Sequence, residues 1–271
     1  FDGKGYFYFG SGVFLLTLGL EFLSRGDFPL LSILTMIIGA VLFIQYWHYA
    51  KIAAMPLFPW ELFDIRTFRI RLRGNLVARF AISAMPFLLP LFLQVSLGYS
   101  PSESGWMLVP MAVGGIFIKP QVTKIIHRLG YRPILIWNTI FIAFSVMLVG
   151  LLGGIVPKWI MVLQLFILGI FNSLQFSAMN SLTISKLRPH QQSSGNSLMV
   201  VNQQLAMTVG IAVAALLLNF YASQTWVVKA PEEIGKAFKF TFVSVGFLTF
   251  LASFIFARLH PKDGDELANR E

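Results

Sequence analysis

The sequence contains no cysteine, and charged side chains make up only 12% of its 271 residues. The absence of cysteine excludes disulfides, thiolate catalysis and metal sites with cysteine ligands. The low charged fraction, together with 56% hydrophobic residues and a mean hydropathy of +0.72, lies outside the range of soluble globular chains. These values predict an integral membrane protein.

The sequence also lacks the motifs of catalytic and cofactor-binding sites. Its four histidines are scattered, no glycine-rich loop is suited to a phosphate, and no nucleophile stands beside a base. We therefore expect no enzyme, no cofactor and no bound metal. The net charge of +9 would also fit nucleic acid, but the basic residues lie in short loops between apolar runs, which indicates membrane topology instead. No nucleic-acid partner is expected.

Apolar runs of about 20 residues dominate the chain, and this is the length of a helix that crosses about 30 Å of hydrocarbon. Continuous apolar runs predict helices, because the strands of a membrane barrel alternate between apolar and polar residues. The predicted fold is therefore all-α and integral to the membrane, with eight transmembrane helices. The predicted spans are 5–24, 30–50, 75–97, 104–123, 134–153, 159–182, 196–220 and 238–257.

The distribution of basic residues predicts the orientation of these spans. With an even number of spans both ends lie on one side, and fourteen of the 21 Lys and Arg residues fall in the loops of that side, against five in the opposite loops. The positive-inside rule then places both ends in the cytoplasm. The longest cytoplasmic connection combines aromatic and basic residues, which fits a short interfacial helix beside anionic lipid and an ordinary basic loop equally well.

Polar residues inside the predicted spans are candidates for function. Arg79 is the strongest, because Arg73 already supplies the flanking charge and Arg79 lies about 9 Å deeper along a helix. A guanidinium at this depth needs an anionic partner or a wet cavity. In the sixth span, Asn172 and Gln175 share a polar stripe with Gln164. Cavity lining and hydrogen bonding between helices are equally compatible with these amides.

Small residues recur at every fourth position on another face of the sixth span, at Gly169, Ser173, Ser177 and Ser181. Such a repeat lets the backbones of two membrane helices approach closely. We therefore predict that this face packs against a neighbouring helix rather than lining a cavity.

The loop at 124–133 resembles the signature between the second and third helices of a major facilitator half, commonly written Asp-Arg-x-Gly-Arg-Arg/Lys. Arg128, Gly130 and Arg132 match this signature. His127 stands where the family has an acidic residue, and Tyr131 where it has a basic one. The resemblance implies that this region affects cytoplasmic closure as a gating loop, with Lys119, Arg128, Gly130 and Arg132 as its members.

The segments 56–68, 171–183 and 193–212 narrow the resemblance to the fourteen-span drug:proton antiporters of the major facilitator superfamily, and within them to the MdtD-type multidrug transporters. The resemblance covers essentially the whole chain. It implies two central linker helices at 1–52, a cytoplasmic linker at 53–74, a C-terminal six-helix domain of two inverted three-helix repeats at 75–257, and a cytoplasmic tail at 258–271.

The same resemblance implies the C-terminal portion of a bacterial inner-membrane transporter that exports drugs or other small molecules by alternating access, coupled to protons. Its expected partners are membrane lipid, the substrate, protons, and an N-terminal six-helix domain of the same polypeptide. Two alternatives are an exporter of an anionic metabolite or metal chelate, and a membrane scaffold without transport of its own. The substrate cavity is predicted to be lined by Arg79, Gln94, Asn172, Gln175, Asn202 and Gln203.

Overall fold

In the computed structural model the chain is described at residues 2–25, 28–53, 56–64, 66–184, 189–224 and 233–258. These ranges contain nine α-helices and no β-strand. A four-residue 3-10 turn at Trp60–Phe63 precedes the third helix, and a π-helical segment at Phe92–Ser96 follows it. The helices are α1 Gly3–Arg25, α2 Pro29–Ala50, α3 Arg66–Leu91, α4 Pro101–Phe117, α5 Lys119–Leu129, α6 Tyr131–Leu152, α7 Lys158–Ile184, α8 Pro189–Ser223 and α9 Ile234–Phe256.

Seven helices of the described ranges are long and apolar enough to cross a membrane. Each of the seven coincides with one of the predicted spans. The prediction of eight spans is therefore not confirmed in its count, although the all-helical membrane fold is. The predicted tail at 258–271 lies outside the described residues, apart from Arg258.

The fourth predicted span, 104–123, differs from the structure. The helix is interrupted at Ile118, so the predicted span is divided between α4, which has 17 residues, and the separate helix α5. Pro120 lies in the first turn of α5, where it has no backbone N–H to continue the hydrogen bonds of α4. Helix α4 overlaps the first part of the predicted span, but it is not among the seven helices that are long and apolar enough to cross a membrane. The prediction overlooked the proline that ends the run.

The third span also begins earlier than predicted. Helix α3 starts at Arg66, inside the predicted linker 53–74, and continues into the membrane. Before it, the described part of the linker contains only the 3-10 turn and no interfacial α-helix. Leu62 of this turn is fully buried, so the turn packs onto the protein.

The helices from α3 onward pair in a symmetric pattern. The strongest contacts in this part of the chain join α6 to α9, α4 to α7 and α3 to α8, followed by α3 to α9 and α6 to α7. If α3, α4 and α6 are exchanged with α7, α8 and α9, these five pairings map onto one another. Two three-helix repeats would produce this symmetry.

Glycine permits the close approach of α4 and α7. A Cβ atom on Gly114 would collide with the carbonyl of Phe166, and one on Gly169 would collide with the carbonyl of Met111. Ser173 adds a hydrogen bond, since its Oγ donates to the carbonyl of Gly115 at 2.8 Å. The face of small residues predicted on the sixth span therefore packs against α4 at Gly169 and Ser173.

Helices α1 and α2 form a hairpin that joins the remaining bundle mainly through α1 and α8. Aromatic residues dominate the contact: the ring of Phe9 lies 5.0 Å from that of Tyr46 and 4.8 Å from that of Phe58. Leu198 and Met199 of α8 complete this buried cluster. The hairpin is thus held at one end of the bundle, where α8 begins.

Candidate functional site

Arg79 lies on α3 with only 7% of its surface exposed. Its Nε donates a hydrogen bond to Oδ1 of Asn75 at 2.7 Å, and its guanidinium carbon lies 4.8 Å from the ring centroid of Phe176 on α7. Within the described ranges, no carboxylate lies within ion-pair distance of Arg79. The guanidinium is therefore held by an amide and an aromatic ring, with its charge not neutralised by these neighbours.

Arg79 belongs to a polar stripe along α3 that the sequence analysis missed. Asn75, Arg79 and Ser83 recur at every fourth residue, and all three are buried. In the described part of the chain, Nδ2 of Asn75 and Oγ of Ser83 have no hydrogen-bond partner. The spacing of Asn75, Arg79 and Ser83 alone would have identified the stripe.

An open cleft of about 430 Å³ lies between α4, α7 and the middle of α3. A much smaller space of about 10 Å³ adjoins Arg79, and Asn172 and Phe176 line both spaces. This second space has roughly the volume that holds one water molecule. The cleft is lined by Pro86, Leu108, Met111, Ala112, Gly115, Gly169, Asn172, Ser173 and Phe176.

The cleft is chemically suited to a mostly apolar molecule with one or two polar groups. Methionine, leucine and phenylalanine side chains provide adaptable apolar contacts, while the Asn172 amide offers a donor and an acceptor. Phe176 separates the cleft from Arg79, and its side chain is 43% exposed.

Gln175, predicted to line the cavity, mainly joins two helices. Its Oε1 accepts a hydrogen bond from Nδ2 of Asn138 at 2.9 Å, and its Nε2 donates to Oγ1 of Thr139 at 2.9 Å. All three side chains are buried between α6 and α7. Gln175 also borders the small space beside Arg79, so its bonds to α6 fix the position of α7 next to this space.

The remaining predicted cavity residues lie elsewhere. Nδ2 of Asn202 on α8 donates to the carbonyl of Leu72 at 3.1 Å, and Nε2 of Gln203 donates to Oδ1 of Asn180 at 2.9 Å. Both bonds tie α8 to its neighbours. Gln94 is exposed in the π-helical segment and lines neither space. Of the six predicted residues, the structure brings together Arg79, Asn172 and Gln175.

The predicted gating residues lie around α5. Lys119 and Arg128 are exposed on it, and Gly130 follows with a φ of 77°, a conformation that favours glycine. Nη2 of Arg132 donates to the carbonyl of Ala257 at 3.0 Å, which joins the start of α6 to the end of α9. Nε of Arg132 is buried and lacks a partner among the described residues. No group of three His, Asp or Glu residues in the same ranges is placed to hold a metal ion.

Comparison with known proteins gives the family. The sequence model described as Major Facilitator Superfamily matches residues 5–211 and 75–270. The protein named "Putative multidrug resistance protein MdtD" of Pectobacterium carotovorum is 36% identical over 260 residues, which cover 96% of this chain and 56% of that protein. The protein of the same name in Escherichia coli O45:K1 is 35% identical over 269 residues, covering 97% and 56%.

A third such protein, from Serratia proteamaculans, is 34% identical over 263 residues, which cover 96% of this chain and 54% of that protein. The chain thus spans little more than half the length of the relatives it matches. The resemblance to the MdtD-type transporters is confirmed, and the matches indicate a family of transporters and no catalytic one. The chain is a multi-pass membrane protein of the major facilitator superfamily.

Proposed function

We propose that the chain forms part of a secondary transporter that exports small molecules across a bacterial inner membrane, by alternating access coupled to proton entry. The observation that carries the proposal is the cleft between α4 and α7, which is mostly apolar and is separated from the buried guanidinium of Arg79 by Phe176. The relatives named as multidrug resistance proteins support the export of drugs. In this account Asn172 and Phe176 contact the substrate, and Arg79 provides the polar end of the pathway.

A second candidate, export of an organic anion or of a metal held in an anionic chelate, is favoured by one observation. Arg79 has no carboxylate partner within the described ranges, so an anionic group of the substrate would supply the missing countercharge. The two candidates differ in what Arg79 does: it binds an anion directly, or it only hydrates and shapes the pathway for other compounds.

Both candidate functions can be tested by measuring transport in everted membrane vesicles that contain the full-length gene product. Arg79→Ala is expected to lower the initial rate at least tenfold, since a charge-assisted contact contributes about 1.5–3 kcal/mol. If the substrate is an anion, Arg79→Lys retains more of its transport than Arg79→Gln, whereas for a lipophilic cation the two variants are alike. The matched control is Arg73→Ala, an exposed arginine of the same helix. Full transport by Arg79→Ala contradicts the cleft assignment.

The arrangement of the chain in the membrane is part of the proposal. We place both ends in the cytoplasm, with 1–52 as the linker helices, 53–74 as the cytoplasmic linker, 75–257 as the transporter domain and the gating loop around Lys119 to Arg132. The excess of Lys and Arg on one side supports this orientation. A cysteine introduced at Lys124 is expected to react with an impermeant thiol reagent in everted vesicles but not in intact cells, and the reverse result would invert the topology.

A further inference from the structure

Helix α5 has one apolar and one cationic face. Val122 and Ile126 are buried in the bundle, in a cluster that also contains Ala78 of α3 and Leu135 of α6. Lys124, one of the exposed residues of α5, lies one turn from Arg128, so these two cations share a face. The helix is therefore anchored along the bundle by its apolar side chains and presents the cations outward.

The cations of α5 lack a countercharge in the structure. Lys124 and Arg128 take part in no ion pair or hydrogen bond within the described ranges. The ion pairs described elsewhere, Lys158 with Glu103 and Lys236 with Glu233, lie where α7, α4 and α9 begin. This is the opposite end of the bundle, because α5 follows the end of α4 and Arg132, just after it, contacts the end of α9.

The flanks of α5 indicate that it lies at the boundary between acyl chains and headgroups. Phe117, the last residue of α4, is 60% exposed, and Leu129 at the end of α5 is 61% exposed. In a membrane protein such apolar side chains contact acyl chains, while cations at the same level extend to the headgroups. The anionic lipids of a cytoplasmic leaflet attract each such cation by about 1 kcal/mol.

We propose that the face of α5 formed by Lys124 and Arg128 binds the headgroup phosphate of an anionic phospholipid. The flat guanidinium of Arg128 matches two phosphate oxygens, and the ammonium of Lys124 adds a charge-assisted hydrogen bond. This role is separate from the gating proposed for the loop, and the choice of an anionic lipid rests on the cytoplasmic position proposed above for α5.

A fluorophore and a spin-labelled lipid test the binding site. These 271 residues contain no cysteine, so Gln121→Cys offers a single labelling site within them, one turn before Lys124. The labelled full-length protein is reconstituted in phosphatidylcholine vesicles with a minority of spin-labelled phosphatidylglycerol, or with the same fraction of spin-labelled phosphatidylcholine. We expect stronger quenching by phosphatidylglycerol. Lys124→Gln with Arg128→Gln should lower this preference by about fivefold for each cation, the equivalent of about 1 kcal/mol.

The matched control removes two cations from the other end of the bundle, with Lys158→Gln and Lys236→Gln. It should keep the preference, and salt at about 1 M should abolish it in every variant, because the Debye length is then about 3 Å. Inorganic phosphate at matched ionic strength should displace little lipid, whereas displacement equal to that by soluble phosphatidylglycerol would indicate a free-phosphate site. If the double variant keeps the preference, or the control loses as much, the proposal is wrong. Should the double variant aggregate, the single variants Lys124→Gln and Arg128→Gln give the same comparison.

Discussion

Tyr46 is the residue through which the α1–α2 hairpin holds the segment that follows it. Its side chain is fully buried, and its hydroxyl oxygen accepts a hydrogen bond from the backbone N–H of Phe58 at 2.8 Å. Asp2 acts nearby, since its carboxylate accepts from the Tyr49 hydroxyl at 2.8 Å and from the N–H of Leu57 at 3.0 Å. Burial acts to raise the pKa of Asp2, but hydrogen bonds from the backbone N–H of Gly5 at 2.8 Å, from Tyr49 and from Leu57 outweigh it and hold the pKa below its ordinary value.

We predict that Tyr46→Phe destabilises the protein by about 1–3 kcal/mol, because it leaves the buried N–H of Phe58 without an acceptor. The measurement is the free energy of unfolding in mixed micelles during titration with SDS. The control is Tyr8→Phe, which removes a hydroxyl from the same aromatic cluster. Among the described residues the Tyr8 hydroxyl makes no hydrogen bond, so this variant should change stability little. Equal losses from the two variants would show that the Tyr46 hydroxyl is not the contact that matters.

Among single residues, Arg79 was predicted from the sequence, whereas its two direct partners, Asn75 and Phe176, were not. An arginine well inside an apolar run is conspicuous because of its desolvation cost. Asn75 and Phe176 become its partners only through the packing of α3 against α7, which no local pattern specifies. For the same reason the sequence left the role of Gln175 open, and the structure places it between α6 and α7.

At the scale of helices, the contact of α4 with α7 depends on the absence of side chains. A residue larger than glycine at 114 or 169 meets a backbone carbonyl of the facing helix, which cannot move without separating the two helices. The cleft borders this contact at Gly115, Gly169 and Ser173. The spacing of α4 and α7 therefore sets the width of the cleft.

We predict that Gly169→Ala destabilises the protein by about 1–3 kcal/mol through overpacking and lowers transport in the vesicle assay. The control is Gly105→Ala, since a Cβ atom at Gly105 meets no atom within 4 Å on the exposed side of α4. Because alanine favours a helix over glycine, the control should leave stability unchanged or raise it by up to about 1 kcal/mol. If Gly169→Ala changes neither the free energy of unfolding nor transport, α4 and α7 can move apart at little cost and the prediction is wrong.

Hydropathy predicted the helices well because the membrane requires long apolar runs, and α2, α6 and α7 begin and end within a few residues of the predicted spans. Hydropathy did not predict the helix ends that depend on a proline or on polar residues. Pro120 ends the run that contains α4, and α3 extends to Arg66 through residues too polar to count as a span. The pairing of α3 with α8 and of α4 with α7 follows from tertiary packing, which composition does not encode.

At the scale of the whole molecule, the described helices combine the hairpin of α1 and α2 with a symmetric bundle of α3, α4 and α6 to α9, and with the short α5. Seven of these helices are long and apolar enough to cross a membrane. The hairpin contacts the bundle through the aromatic cluster near the beginning of α8, whereas the cleft lies between α4 and α7. In the proposed cycle, the bundle moves as a unit and the cleft faces each side of the membrane in turn. Arg79 and Asn172 lie on the helices that would carry this change.

Thiol modification at position 172 tests whether the cleft between α4 and α7 faces each side of the membrane in turn. In the full-length protein, Asn172→Cys is labelled with an impermeant reagent from either side of the membrane, with and without a proton gradient, and Ser102→Cys at the exposed start of α4 is the control. We expect labelling of the cysteine to block transport and bound substrate to protect it from the reagent. The proton gradient should change the side of the membrane from which the cysteine reacts. A site at 172 that reacts equally under all conditions while transport continues would contradict the account.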